Sequence, residues 1–502
     1  MLSEKDNVAI VSKREGISSG ENIGRGLNAR GNLNFGEKIA LSSLTRGDDV
    51  IRYGATIGVA NSSIAAGSRV SHLNIDIPQI ASIGEAASVA KQSMSLKPRK
   101  HEQPPKSLFF QGFLNQDGSV GTRNYLAIVP TVTCVSGVVQ HAVKKIRESL
   151  LPNFPHVDGV VYLDHAYGCG VAINAPNADI PISTLSNLVK NPNFGGEAML
   201  VGLGCEKLRK EMLDVREHSF ISLQDQKQSG FEQMVADIVQ QAAFHLERLN
   251  CRRRQTCPLS SLVVGVQCGG SDSMSGITAN PLVGKLSDKL VSNGASVIFS
   301  ETTEVRDASF ELFSRISDDL VTEKLVAEFA WYDDYLARLG ADHSANTTPG
   351  NKAGGIANIV EKAMGSVTKS GSSEIVDVIH PGSRLVTQGL NFLSGPASDF
   401  ICGTLQFAAG ANIHVFTTGR GSPYSIDGFP TIKVSSNSDL YNRWHDLIDF
   451  DAGCMLDSKK IRLSAPDKFL EKLIAIASGD KTCAENVGIS NSIVLFNPAA
   501  IT

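Results

Sequence analysis

The feature that most constrains this chain is a series of uninterrupted apolar runs that begins after residue 108. Such runs are typical of β-strands that are covered on both faces, as in parallel α/β sheets. Amphipathic helical stretches lie between them, and a polar break near residues 250–258 separates two groups. The pattern therefore predicts two α/β units with largely parallel sheets. The runs are 125–129, 159–163, 198–201, 262–266, 296–299 and 413–416.

The first 78 residues show a different pattern, with short β-type runs broken by turns and no helical period before residue 83. They predict a small all-β domain at 1–78. Residues 79–107 are predicted to be a linker, with a short helix at 80–92 followed by an extended segment rich in proline and charge. The two α/β units are then a second domain at 108–250 and a C-terminal catalytic domain at 258–502.

Charge and cysteine usage exclude several classes of protein. The 47 basic and 51 acidic residues leave a net charge of −4, which argues against nucleic acid as a partner. No apolar run is long enough to span a membrane, and the first residues have no apolar segment of the signal-peptide type. Nine cysteines, an odd number, indicate reduced thiols in a cytoplasmic protein. We expect a homodimer that acts on a small molecule.

Most of the predicted strands lead directly into a glycine-rich polar turn. In open α/β sheets, ligands bind beyond the carboxyl ends of the strands. Glycine lets the backbone approach a ligand closely and present its N–H groups to an anion. The repetition predicts one ligand site built from several loops. These loops are 164–170, 202–206, 267–272, 300–304 and 417–422.

Charged residues in these loops indicate an acidic ligand. Arg420 is the best candidate for an anion clamp, because a guanidinium binds a carboxylate through two parallel hydrogen bonds. Lys352, in the loop 349–355, is predicted to neutralise a carboxylate or to act as a base. For both Arg420 and Lys352 the alternative is a solvated surface residue. Glu301 and Glu304 are candidates for metal binding or proton transfer, with helix capping as the alternative for both. Asp272 is a further candidate for the site, and its alternative role is also to cap a helix.

Four cysteines follow apolar runs at equivalent strand ends: Cys134, Cys169, Cys205 and Cys268. Their spacings of 35, 36 and 63 residues exclude a local zinc knuckle, so a shared metal would need ligands that converge through the fold. With His165 near Cys169, the set suits Fe(II) or Mn(II). The alternative is that each cysteine is a small core residue.

Several of these loops together resemble the galactarate and altronate dehydratase family over nearly the whole chain. The matching segments are 117–124 (DGSVGTRN), 202–206 (GLGCE), 268–272 (CGGSD), 350–352 (GNK) and 418–421 (TGRG). The first domain is then similar to the family's β-clip (SAF) domain. Segments such as 167–176 and 303–308 look like the galactarate branch, whereas 449–453 and the Lys352-Ala353 pair look like the altronate branch.

The resemblance implies a hydro-lyase that converts galactarate to 5-dehydro-4-deoxy-D-glucarate and water in sugar-acid catabolism. A base takes the C–H proton next to a carboxylate, and the β-hydroxyl leaves with acid help. The implied cofactor is a divalent metal, Fe(2+) or alternatively Mn(2+), held by the four cysteines. The implied catalytic residues are His165, Lys352, Arg420 and Glu301, and the implied substrate contacts are Ser271, Asp272, Asn351, Thr418 and Arg123.

Three other functions remain as alternatives at this point. The first is dehydration of altronate or of another hydroxy acid with the same loops. The second, from a different class, is a sugar-acid binding protein without catalysis. A dinucleotide-dependent oxidoreductase is disfavoured, because no G-x-G-x-x-G motif opens a helix with an acidic residue about 20 positions on.

Overall fold

The structure is a computed structural model that describes residues 3–24, 26–94, 107–213, 219–225 and 229–501. Its architecture confirms the predicted fold class, with a small strand-rich N-terminal domain followed by two α/β regions with parallel sheets.

The N-terminal domain contains two three-stranded antiparallel sheets, with strand orders β1-β2-β5 and β3-β4-β6. Alternate apolar residues such as Val50 and Ile57 form its core. Tyr53 and Gly54 both have positive φ angles and make the tight turn between β3 and β4. The strands are β1 Val8–Ile10, β2 Lys38–Ala40, β3 Asp49–Arg52, β4 Ala55–Ala60, β5 Arg69–Val70 and β6 Ile75–Asp76.

Helix α1, Ile83–Met94, occupies most of the first half of the predicted linker. Its Ala86 and Ala90 side chains are buried in the main hydrophobic core of the C-terminal domain. This part of 79–107 is therefore packed rather than a free connection, because its small residues allow close helix contact. The predicted extended segment, 95–106, lies outside the described residues.

The second domain has a parallel four-stranded sheet of order β10-β9-β11-β12. Helices α2 and α4 cover one face, and α3 together with the C-terminal domain covers the other. The polar break predicted at 250–258 contains a strand, β13, that pairs antiparallel with β7. The elements are β7 Phe109–Leu114, β8 Val120–Gly121, β9 Tyr125–Pro130, α2 Ser136–Lys145, β10 Gly159–Tyr162, α3 Asp179–Leu188, β11 Ala198–Gly202, β12 Phe220–Ser222, α4 Phe231–Asn250 and β13 Gln255–Pro258.

The C-terminal domain is built on a parallel seven-stranded sheet of order β16-β17-β15-β14-β18-β19-β20. Strands β15, β17 and β16 lie on one side of β14, and the later strands β18, β19 and β20 lie on its other side. The crevice between the ends of β14 and β18 is therefore a topological switch point, where α/β sheets bind ligands. The strands are β14 Val263–Cys268, β15 Ser296–Ser300, β16 Ile375–Ile379, β17 Leu390–Leu393, β18 Ile413–Thr418, β19 Thr431–Ser435 and β20 Phe450–Asp451.

Ten helices accompany this sheet in the described part of the chain. Apolar residues of the longer ones, such as Leu286 and Phe469, are buried in the main core. The helices are α5 Ala279–Ser292, α6 Thr302–Val305, α7 Ser309–Phe313, α8 Asp319–Arg338, α9 Pro349–Ala353, α10 Ile359–Val367, α11 Asp399–Ala408, α12 Ser438–Arg443, α13 Lys459–Ala477 and α14 Cys483–Val487. None of the described helices is long and apolar enough to cross a membrane.

Candidate active site

The loops that follow β14 and β18 meet at the switch point. The backbone N–H groups of Gly419 and Arg420 donate to the carbonyl oxygen of Gly270, at 3.2 and 3.1 Å. Gly270 has a φ of 60°, a left-handed conformation that glycine adopts without strain. The Thr418 hydroxyl accepts from the backbone N–H of Gly421 at 3.0 Å. Thr418 and Arg420 are thus held on one short, well-bonded turn.

A third loop, which contains α9, joins this pair. A capping box between Thr348 and Asn351 begins the helix, and the Asn351 amide donates to the Ser271 carbonyl oxygen at 2.9 Å. The Arg420 guanidinium donates to the Gly350 carbonyl oxygen. The structure therefore brings together the loops of Ser271, Asp272, Asn351, Lys352, Thr418 and Arg420. Lys352 and Arg420 are both exposed there.

Asp272 is the polar centre of this arrangement. Its carboxylate accepts from the Ser275 backbone N–H at 2.8 Å and from the Ser436 hydroxyl at 2.9 Å. Burial raises the pKa of Asp272 above its usual range. A Cβ atom on Gly419 would lie 2.2 Å from the Asp272 carboxyl carbon, so only glycine fits at 419. The carboxylate therefore fixes the loops against each other.

A cavity of about 330 Å³ lies between the N-terminal domain and these loops. Residues 34–37 line one side, and Asp272, Gly354 and Arg420 line the other. The sequence did not predict the contribution of 34–37, because the two sides are more than 200 residues apart. The cavity has the size of a small-molecule site with a cation at its edge.

A fully buried polar cluster lies behind these loops, at the ends of β14 and β15. In the described part of the chain, Cys268, Glu301 and Glu304 form the one group of three potential metal ligands whose donor atoms all lie within 4.8 Å of one another. Lys362 Nζ lies 2.7 Å from Glu304, and Lys369 Nζ lies 3.9 Å from Glu301. Both lysines were missed at the sequence level, where the only signal was a lysine inside the otherwise largely apolar α10.

The two glutamates differ in charge although both are buried. Burial and the neighbouring Glu304 raise the pKa of Glu301 well above its usual range. Although burial opposes its ionisation, Lys362 and Lys369 lower the pKa of Glu304 to about 2. Burial raises the pKa of Cys268 to about 12. Glu301 also has a left-handed backbone, with φ 79° and ψ 80°, and such strain for a non-glycine residue is concentrated at functional sites.

Arg123 is not available for the predicted substrate contact. Its guanidinium donates to both carboxylate oxygens of Glu485 and to the carbonyl oxygens of residues 122, 476 and 480. These five bonds use all five N–H donors of an arginine, and Arg123 is buried. The residue instead ties the second domain to the C-terminal domain.

His165 is likewise not free to act as the predicted base. Its Nε2 contacts the Pro130 carbonyl oxygen at 2.8 Å, and its Nδ1 accepts from the Tyr167 backbone N–H at 3.1 Å. Burial lowers the pKa of His165 to about 4. Both ring nitrogens are engaged, so the side chain fixes the loop after β10.

The four predicted metal-binding cysteines are divided between two sheets. Cys134, Cys169 and Cys205 follow strands of the second-domain sheet and are exposed, whereas Cys268 ends β14 and is buried. Cys268 is grouped with two glutamates instead. The single four-cysteine set is corrected accordingly, because equivalent strand ends in sequence belong to separate sheets in space.

Three family models match consecutive parts of the chain. They are the altronate/galactarate dehydratase SAF domain at 1–78, the D-galactarate dehydratase/altronate hydrolase second domain at 112–250, and the D-galactarate/altronate dehydratase C-terminal domain at 259–501. The fold and loops are thus those of a dehydratase, a hydro-lyase. More specifically, the chain belongs to the D-galactarate/altronate dehydratase family, which confirms the resemblance inferred from the loop motifs.

Individual relatives align over most of this chain. Galactarate dehydratase (L-threo-forming) of Escherichia coli K12 is 46% identical over 512 residues, covering 100% of this chain and 97% of the relative. Altronate dehydratase of Bacillus subtilis 168 is 33% identical, covering 95% and 94%. The (2R)-sulfolactate sulfo-lyase subunit beta of Chromohalobacter salexigens is 29% identical, covering 76% and 96%.

Proposed function

We propose that this protein is a galactarate dehydratase that converts galactarate to 5-dehydro-4-deoxy-D-glucarate and water. The observation that carries the proposal is the meeting of the Ser271, Asn351 and Arg420 loops beside a small cavity at a sheet switch point. A diacid substrate requires cationic groups, and Arg420 and Lys352 are exposed on these loops. The 46% identity to a galactarate dehydratase over the full chain supports this substrate.

In the proposed mechanism, the Arg420 guanidinium binds the carboxylate next to the carbon that loses its proton. This contact orients the C–H bond and stabilises the negative charge that develops on the carboxylate as an enediolate. Lys352 is the candidate base that removes the proton, since His165 has both ring nitrogens engaged. The Asn351 and Thr418 side chains hold the loops that carry the two cations.

The proposed metal ligands are Cys268, Glu301 and Glu304. Their fit to a metal rests on the Glu301 Oε2 atom, which is buried and has no hydrogen-bond partner among the described residues. One thiolate with two carboxylates suits a borderline ion, which favours Fe(2+), with Mn(2+) as the alternative. When bound, such an ion would supply Lewis-acid stabilisation of the negative charge that develops in the reaction.

Altronate is the second candidate substrate. The 33% identity to an altronate dehydratase over 95% of this chain supports it, as do the altronate-like segments in the sequence. Both substrates share a carboxylate next to a C–H bond and a β-hydroxyl group, so the same residues serve both reactions.

The proposal is tested with purified protein loaded with iron under anaerobic conditions. Formation of 2-keto-3-deoxy acid is measured with galactarate, altronate and glucarate in parallel. We expect product from galactarate at a rate well above that from the other two acids. Product from altronate alone would identify altronate as the substrate and leave the proposed mechanism unchanged. Ligand-induced thermal stabilisation without product from any acid would instead support a binding protein.

We also propose a cytoplasmic homodimer. All nine cysteines are free thiols, which supports a reducing compartment. Light scattering after size exclusion tests the dimer, and a mass near 53.5 kDa, that of a single chain, would contradict it.

A further inference from the structure

Three exposed cysteines are concentrated at one edge of the second domain. Of the nine free cysteines, four are exposed: Cys134, Cys169, Cys205 and Cys251. Free cysteine is among the most buried residue types, so exposed thiols are unusual and three near one sheet edge more so. Cys251 lies elsewhere, at the end of α4, where its thiol contacts the Glu247 carbonyl oxygen.

The three thiols follow three adjacent parallel strands. Strand β9 lies between β10 and β11, and the residues after these strands include Cys134, Cys169 and Cys205 respectively. The chain forms β9 first, then adds β10 on one side and β11 on the other. The carboxyl edge of this sheet is therefore a second topological switch point, separate from that of the C-terminal domain.

Side-chain contacts draw the three loops together around Thr131. The Thr131 hydroxyl donates to the Glu206 carboxylate, which also accepts the backbone N–H groups of Leu203 at 3.0 Å and Gly204 at 2.6 Å. Cys205 lies between Gly204 and Glu206, so the loop after β11 is tied directly to the loop after β9.

The loop after β10 is equally close to Thr131. A Cβ atom on Gly168 would lie 2.1 Å from the Thr131 carbonyl oxygen, and Gly168 has a φ of 112°. The Thr133 hydroxyl donates to the His165 carbonyl oxygen at 3.3 Å. Cys169 follows Gly168 immediately, and Cys134 follows Thr133. All three cysteines therefore lie within three residues of Thr131 or of a residue in contact with its loop.

The arrangement does not fit a single metal ion. Three thiolates around one tetrahedral zinc ion lie roughly 3.8 Å apart, given Zn–S bonds of about 2.3 Å. In the described chain, the only three-ligand group with all donor atoms within 4.8 Å is the one at Cys268. At least one pair among the three thiols is therefore more widely separated. A polynuclear centre tolerates wider spacing, because each thiolate binds a different metal atom.

We propose that Cys134, Cys169 and Cys205 bind a [4Fe–4S] cluster on the second domain. Each thiol loses its proton to solvent and forms one bond to a different iron, without a change in the oxidation state of sulfur. None of the other six cysteines lies in these three loops, so the fourth iron would take a ligand other than cysteine. Glycines 168, 170 and 204, all with positive φ, allow the backbone to approach the cluster sulfides. This site is independent of the substrate proposed for the C-terminal domain.

The test is anaerobic reconstitution of the full-length protein with ferrous iron and sulfide, followed by removal of unbound metal. We expect about four acid-labile sulfides and about five irons per chain, four in the cluster and one at the Cys268 site, with the visible absorption of a cluster. Cys134→Ser, Cys169→Ser and Cys205→Ser should each lower bound sulfide severalfold. The controls are Cys251→Ser, which changes an exposed cysteine away from this edge, and Cys268→Ser. Both should bind as much sulfide as the wild type. Circular dichroism checks that every variant is folded.

The readout is metal and sulfide content, so it is separate from turnover and from the choice of sugar acid. Iron without sulfide in the wild-type protein would overturn the proposal, as would unchanged sulfide in the three variants. A disulfide between two of the three cysteines in the freshly isolated, anaerobically prepared protein would also overturn it.

Discussion

Lys38 Nζ, in the N-terminal SAF domain, lies 2.9 Å from a carboxylate oxygen of Glu361 in the C-terminal domain, and both side chains are buried. Arg52 pairs with the other oxygen of Glu361 and donates to the Ser273 carbonyl oxygen at 2.9 Å. Lys38 also donates to the Gly355 carbonyl oxygen. The SAF domain therefore contacts two of the loops that line the candidate active site.

Replacing Glu361 with Gln should loosen this contact. The change leaves two buried cations without a full counter-charge, which costs on the order of 3–5 kcal/mol. Because the contact reaches the loops at Ser273 and Gly355, KM should rise as well. Limited proteolysis of the SAF domain and steady-state kinetics measure the two effects. Glu21→Gln, which removes a surface partner of Lys13, is the control and should behave like the wild type.

The Glu361 contact also predicts acid sensitivity. Although burial opposes its ionisation, Lys38 and Arg52 lower the pKa of Glu361 below its usual range. A lowered folded-state pKa stabilises the protein above the unfolded pKa, about 4.3, and this stabilisation is lost as the pH falls through the folded value. The contact between the SAF domain and the C-terminal domain should therefore weaken below about pH 4 in the wild type. In Glu361→Gln the contact is weaker at every pH and should show no additional loss below pH 4. Equal acid sensitivity in both proteins would contradict this.

Replacing Arg420 with Met should remove the carboxylate clamp. Loss of a charged bidentate contact of about 3 kcal/mol lowers kcat/KM by roughly a hundredfold or more. The fold should survive, because Arg420 is exposed and, among the described residues, its side chain makes one hydrogen bond, to Gly350. Arg253→Met, an exposed arginine in the segment between the second and C-terminal domains, is the control. Near-normal turnover by Arg420→Met would remove this residue from the site.

Lys352→Met distinguishes a base from a binding residue. Loss of a general base lowers kcat by about 10²–10⁴-fold with a small change in KM. Loss of a carboxylate contact alone would raise KM and leave kcat near its normal value. We expect the first pattern. Lys352→Arg, which keeps the charge and removes the base, should resemble Lys352→Met in kcat.

His165→Gln should keep most activity and change the pH dependence of stability. Burial lowers the pKa of His165 from 6.5 to about 4, so between these pH values only the unfolded chain takes up the proton. Stability therefore falls as the pH drops from 6.5 to 4, by about 3 kcal/mol for this group. Melting temperatures at several pH values should fall less steeply for His165→Gln than for the wild type. The exposed His72→Gln is the control, and a kcat loss of a hundredfold or more in His165→Gln would restore the base assignment.

Cys268→Ser should lower the content of a single divalent ion without affecting the cluster of the second domain. The protein is stripped with a chelator and reloaded with Fe(2+) or Mn(2+), and bound metal is measured. Cys257→Ser is the matched control, because Cys257 is also buried but lies on a peripheral strand. Equal metal content in both variants would exclude Cys268 as a ligand.

The apolar runs and their glycine-rich ends were sufficient to predict the fold class and the loops of the site. Continuous apolar runs require strands covered on both faces, and parallel strands place their carboxyl ends at one edge. Arg420 could therefore be selected from local sequence, whereas Asn351 was selected through the family resemblance. The same reasoning could not show that equivalent strand ends belong to two sheets, which is why Cys268 was grouped with the other three cysteines.

What the sequence determined by itself is local: strand periodicity, tight turns, and polar residues at strand ends. Only the tertiary structure decided the environment of each polar side chain. The Arg123 guanidinium donates hydrogen bonds to the carbonyl oxygens of residues 476 and 480, and the His165 ring is hydrogen-bonded to the Pro130 carbonyl oxygen. Lys362 is buried because Glu304, on another element, neutralises it. Hydrogen bonds and charge pairs form between groups far apart in the chain, so their partners exist only once the fold has brought them together.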